Sequence, residues 1–131
     1  MSKPLSAVNI FAVVLGIFLV IEGFWGMFDP LVFGIFSTNI LHASIHLILG
    51  FTGIYTGLRN HARKFCLYVG MLLLAVGILY FIPGADALIV RFFNVNNAVA
   101  YLNIIVGILC LLFAFLTPKP APLHHEGKQH K

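Results

Sequence analysis

Charge is what this sequence has least of: only 9% of its residues are Asp, Glu, Lys or Arg, while 60% are hydrophobic and the mean hydropathy is +1.00. That balance lies far outside the range of soluble domains, so most of the surface must avoid water. Equally absent are a phosphate-cradling P-loop, a dinucleotide fingerprint, a Cys-x-x-Cys pair, a His-Glu-x-x-His motif and a nucleophile elbow. An ordinary soluble active site has nowhere to be. Catalytic residues and cofactors are accordingly not expected.

What fills the chain instead is four runs free of charge: Lys3 to Glu22, Asp29 to Arg59, Lys64 to Asp86 and Arg91 to Lys119. A helix needs about 20 apolar residues to cross the hydrocarbon layer, and each run is long enough. Breaks at Asp29-Pro30, Asn60 to Lys64, Pro83-Gly84 and Thr117-Pro118 place the spans near Leu5 to Phe28, Asn39 to Leu58, Phe65 to Ile82 and Asn97 to Thr117. The fold class is thus an all-α integral membrane four-helix bundle over residues 1–117, with a disordered basic tail over 118–131. The first span lacks an Ala-x-Ala-like cleavage site and runs into Phe24-Trp25, so it reads as a resident helix rather than a signal peptide.

Arg59, Arg63 and Lys64 crowd the middle connection, and Lys3, Lys119, Lys128 and Lys131 lie near the termini. The outer connections hold only Asp29 in one and Asp86 with Arg91 in the other. By the positive-inside rule both termini are expected to be cytoplasmic. The net charge of +4 is explained by juxtamembrane cations facing anionic lipid, with no nucleic-acid partner implied. Cys66 and Cys110 fall in the third and fourth spans at heights expected to differ by roughly 10 Å, which argues for two separate reduced thiols.

Sliding the chain by 57 positions superposes Asp29-Pro-Leu-Val-Phe-Gly-Ile-Phe-Ser-Thr-Asn39 on Asp86-Ala-Leu-Ile-Val-Arg-Phe-Phe-Asn-Val-Asn96, with Asp, Leu, Phe and Asn coinciding. Two parallel helix-loop-helix repeats are predicted, one over about 5–58 and the other over about 65–117. Small residues recur every seven positions: Gly16 and Gly23; Ala43, Gly50 and Gly57; Gly70, Gly77 and Gly84; Ala100, Gly107 and Ala114. A seven-residue period implies left-handed packing, and glycine lets backbones approach in lipid. Gly53 and Gly57 also have GxxxG spacing, which could serve inside the bundle or in a homo-oligomer or larger membrane complex. Leu31, Phe33, Phe36, Leu88, Phe92 and Phe93 are expected at the outer interface, with Trp25 and Tyr80 as anchors, while Ser37-Thr38-Asn39 and Asn94-Val95-Asn96 offer helix-capping oxygens.

Polar groups at membrane depth are the places to seek function. Glu22 is the one acid well inside a span, and His46 lies at similar depth on the second helix, with His42 one turn above it. Tyr80, Tyr101 and Asn103 occupy comparable depth in the second repeat. Together Glu22, His42, His46, Tyr80, Tyr101 and Asn103 form the candidate cluster. It admits three readings: an interhelical hydrogen-bond network, a proton-linked or small-solute site built on Glu22 and His46, or a metal or haem site using His42 and His46. Against the third, two histidines one turn apart cannot supply opposite axial ligands to one haem.

The string Asn39-Ile-Leu-His-Ala-Ser-Ile-His-Leu-Ile-Leu-Gly-Phe-Thr-Gly53, following a glycine-bearing first span, resembles the bacterial four-helix membrane proteins of the DUF4383 family, over nearly all of Leu5 to Leu116. The resemblance implies the four-span topology and a bacterial inner-membrane location, and brings no established activity. It also implies a histidine in the fourth helix, where this chain carries Asn103. The combined expectation is a non-enzymatic structural or accessory membrane component, with a proton-linked permease or ligand-binding protein as the second reading and a redox-complex subunit as the third.

Overall fold

The computed structural model describes residues 5–118; the expected tail over 118–131 lies, beyond its first residue, outside the described residues. Four long helices, α1 (Ala7–Gly26), α2 (Ile40–Leu58), α3 (Ala62–Leu79) and α5 (Asn97–Leu116), are each long and apolar enough to cross a membrane. Between 33% and 44% of each span is buried inside the protein, so the greater part of each helix faces outward and must meet lipid. A two-residue β-hairpin, β1 (Leu31–Val32) with β2 (Phe36–Ser37), joins α1 to α2, and a short helix, α4 (Ala85–Phe93), joins α3 to α5. Both connections lie at one end of the bundle, called here the loop end.

Local chemistry explains these boundaries. Pro30 cannot continue α1, and the chain turns at Asp29, whose Oδ1 accepts the Leu31 amide at 3.0 Å. Asn39 and Asn96 cap α2 and α5, accepting the amides of His42 at 2.8 Å and Val99 at 3.0 Å. Both act as the sequence indicates. α4 carries Asp86 in its first turn and Arg91 in its last, matching the helix dipole, and stops at Asn94 in the left-handed region (φ 51°).

α1 packs chiefly on α2, and α3 chiefly on α5. Glycine makes both pairings close. A Cβ added at Gly16 would stand 2.5 Å from the Gly50 carbonyl oxygen, and one at Gly50 would stand 2.7 Å from the Gly16 carbonyl oxygen. Across the other pair, a Cβ at Gly70 would meet Cys110 Cβ at 2.8 Å, and one at Gly107 the Leu74 nitrogen at 2.8 Å. Gly23, Gly57 and Gly77 are equally confined. Gly53 differs, because its space is taken by the Phe65 ring at 2.8 Å, across the seam between the two helix pairs. The core at that seam gathers Val8, Ala12, Leu15 and Leu19 with Phe65, Val69, Leu73 and Ala114, and Phe11 stacks on Phe113 at 4.6 Å.

Three expectations change. The third helix begins at Ala62 and ends at Leu79, not Phe65 to Ile82, because Asn9 on α1 supplies a cap from a distance: its Oδ1 accepts the Ala62 amide at 2.9 Å. That earlier start places Cys66 a full turn inside α3, where it and Cys110 are both free thiols buried in the core at the seam. Gly84 leaves the packing series altogether: it sits at φ 94° in open space ahead of α4. The loops are also less superficial than their composition indicates. Leu31, Phe33, Leu88 and Phe92 are exposed, but Val32 and Ile89 are buried beneath them, and Phe36 and Phe93 are half-buried.

Candidate functional site

α1 brings Glu22, and α2 brings His46, to a contact of 2.8 Å between Glu22 Oε1 and His46 Nδ1. Both side chains are almost wholly buried, at 5% and 7% exposure. Glu22 stands about 100° around α1 from the glycine stripe, and His46 falls between Ala43 and Gly50 on α2, so the pair meets beside the line of closest backbone approach. The nitrogen is close but poorly aligned, and Oε1 is left without a well-formed hydrogen bond. A buried carboxylate oxygen in that condition is costly, because the low-dielectric surroundings offer no water to replace the missing donor.

His42 lies directly above, its ring 4.3 Å from that of His46 at a steep angle. Its Nδ1 is 3.1 Å from the Phe93 carbonyl oxygen. A carbonyl only accepts, so His42 carries a proton on Nδ1 and, when neutral, turns Nε2 out as an acceptor. The two histidines and Asn103 of α5 line a partly open cavity of about 80 Å³ in the seam, whose remaining wall is apolar and includes Leu49, Leu73 and Phe93. At about 30 Å³ per molecule this is room for two or three waters or a ligand of similar size.

A polar strap closes the loop end above the cavity. The amide of Asn39, whose oxygen caps α2, donates through Nδ2 to the Phe92 carbonyl at 2.8 Å; that of Asn96, whose oxygen caps α5, donates to the Ile35 carbonyl at 2.9 Å. Asn94 Nδ2 donates to the Thr38 carbonyl at 2.8 Å, and the Ser37 hydroxyl donates to the Asn94 carbonyl. Each connection is thereby tied to the other.

Glu22, His42, His46 and Asn103 therefore converge, whereas Tyr80 and Tyr101 stand apart. Tyr80 donates its hydroxyl to Asn97 at 2.7 Å, and Tyr101 is 56% exposed with its ring 5.3 Å from Phe81. Helical phase separates Tyr101 from Asn103: two positions turn the helix by about 200°, so only one can face the seam. Among the described residues no group of three or more metal-binding side chains converges. A further buried polar residue, Asn9, lies in the first turn of its span, too near the helix end to stand out as a polar group at membrane depth. It donates to Ser6 Oγ and Asn60 Oδ1, both at 2.6 Å, besides capping α3.

No curated protein and no solved structure matches this chain. A family model, described as a domain of unknown function (DUF4383), matches residues 9–116, from the first turn of α1 to the end of α5, and takes in every residue of the converging cluster. The chain thus belongs to the DUF4383 family, and its own four apolar helices mark it as a membrane protein.

Proposed function

We propose that this protein is a non-enzymatic, proton-responsive binding component of a bacterial inner membrane, with Glu22 and His46 as the proton-sharing pair and the adjoining cavity as the place where water or a small polar solute is held. One observation carries the reading: the buried Oε1 of Glu22 lacks an aligned partner although His46 Nδ1 is 2.8 Å away. A network selected only to fix packing would leave its most expensive atom satisfied. A site that must pass a proton between a carboxylate and an imidazole, or admit a donor from the cavity, needs a contact loose enough to rearrange.

In this reading the proton shared by Glu22 and His46 resides on one partner or the other, and His42 Nε2 and Asn103 are the polar groups available to whatever enters the cavity. Both termini and the Arg59 to Lys64 connection face the cytoplasm, which puts the cavity in the outer half of the bundle. The repeat reading is supported by the paired roles of Asn39 and Asn96, 57 positions apart, each capping its own helix and reaching to the opposite connection.

Infrared difference spectroscopy of the protein in lipid nanodiscs tests this. A carboxyl band should respond reversibly to pH in the wild type and vanish in Glu22→Gln, while His46→Asn should move it, with helix content unchanged in both. If no carboxyl band responds and both variants behave as the wild type, the pair is structural, and the accessory-protein reading replaces this one.

A further inference from the structure

On the outward face of α1, away from the histidine cavity, a shallow groove of about 670 Å³, open along most of its length, runs past Val20, Ile21, Phe24 and Phe28 to Trp25 and Asp29. We propose that it binds a phospholipid whose headgroup ends in a primary ammonium. Nine positions at 1.5 Å rise carry the groove about 13 Å along the helix, from the hydrocarbon depth of Val20 to the headgroup level of Asp29. Its floor is apolar and open, with Phe24 63% and Phe28 79% exposed, so in a membrane an acyl chain covers it.

The top of the groove is what selects. Asp29 is exposed, and among the described residues no cationic side chain lies within 4.0 Å of it. Its carboxylate is used lightly: Oδ1 accepts the Leu31 amide at 3.0 Å, and Oδ2 receives the Trp25 indole N–H only at 3.5 Å. Lone pairs are left for an incoming donor. Phe33 packs 4.7 Å from the Trp25 ring and holds the indole beside the carboxylate. A cation there gains both the opposite charge and an aromatic face. A primary ammonium also donates hydrogen bonds to Asp29, which a quaternary ammonium cannot do, and an anionic headgroup is repelled. The apolar floor commits the site to a lipid rather than to a free amine.

Native mass spectrometry of the detergent-solubilised full chain, offered equimolar phosphatidylethanolamine, phosphatidylcholine and phosphatidylglycerol, reads the preference directly. The wild type should retain phosphatidylethanolamine about tenfold over the others, the factor that about 1.4 kcal/mol represents. Asp29→Asn, which keeps an oxygen for the Leu31 amide, should remain folded by circular dichroism and lose that preference. Phe28→Ala should weaken retention of all three lipids without changing their order. Equal retention of the three by the wild type, an unchanged preference in folded Asp29→Asn, displacement of the lipid by free ethanolamine at equal concentration, or a lipid-free dimer that buries the groove would each overturn the assignment.

Discussion

Replacing Gly50 tests the packing of the bundle at its tightest level. A methyl group there would lie 2.7 Å from both the Gly16 carbonyl oxygen and Val20 Cγ2, and 2.8 Å from the Val20 nitrogen. Two of those neighbours are backbone of α1, so no rotamer change relieves them. The helices must separate from 2.7 Å to the 3.4 Å at which ordinary contact begins, about 0.7 Å. A gap of 0.5 to 1 Å forfeits roughly a quarter to a half of each dispersion contact along the face. In lipid there is little hydrophobic gain to offset that, because the chains outside are as apolar as the helices. Overpacking of this kind costs about 1 to 3 kcal/mol, while alanine's better helix propensity returns about 1 kcal/mol. Gly50→Ala should therefore destabilise by about 1 kcal/mol and Gly50→Leu by more, whereas Ile48→Ala, at a position 66% exposed to lipid, should change little. The single tryptophan, Trp25, sits on α1 against Phe33 and reports separation of the α1 and α2 hairpin by fluorescence during unfolding in mild detergent. If Gly50→Ala were as stable as the wild type, or Gly50→Leu no worse than Ile48→Ala, the close-approach argument would fail.

Asn9→Ala removes the remote cap of α3 and two further hydrogen bonds, and should cost about 1 to 2 kcal/mol in the same unfolding assay; wild-type stability in that variant would show that other contacts set where α3 begins. Asn39→Asp and Asn96→Asp keep each cap but lose the donor to the opposite connection, so hydrogen exchange at β1, β2 and α4 should accelerate while the spans stay protected; unchanged exchange there would show that the strap is held by other contacts.

Span number and the glycine pattern were legible in the sequence because both depend on quantities that one dimension preserves: the length of an apolar run and the period of small residues. Depth was legible for the same reason, and it was enough to bring Glu22 and His46 together. Rotation about the helix axis was less so. Tyr101 and Asn103 share a depth but face opposite ways, and Tyr80 ends at Asn97 instead of the seam. The remaining misses come from side chains that act across the fold. Asn9 sets where α3 begins from 53 positions away. Nothing around Ala62 announces that start, since His61 makes no side-chain capping bond. The α4 segment, nine residues rich in β-branched and aromatic side chains, is short of a helix by propensity alone and owes its form to Asp86, Arg91 and the burial of Ile89.

The position of the cavity follows from where the glycines are. Within each helix pair they draw the backbones together and leave no space, so any room must fall in the seam, where large side chains meet. That makes the contents of the seam testable apart from the fold. Val76 borders the cavity from α3, and Val76→Leu adds one methylene toward it. Were the space dry and merely unfilled, burying that group would stabilise the protein by about 0.8 kcal/mol. If instead it holds water that serves His42, His46 and Asn103, the added group displaces a bound molecule whose hydrogen bonds it cannot replace, and stability should stay level or fall. The three polar side chains on an otherwise apolar wall, His42, His46 and Asn103, favour the second outcome. The same substitution should then alter the Glu22 carboxyl band in the infrared difference spectrum, because the nearest solvent would have been removed from its partner His46. A gain of stability with an unaltered band would mean that the cavity is a packing defect, and that the histidines around it have no solvent or ligand to serve.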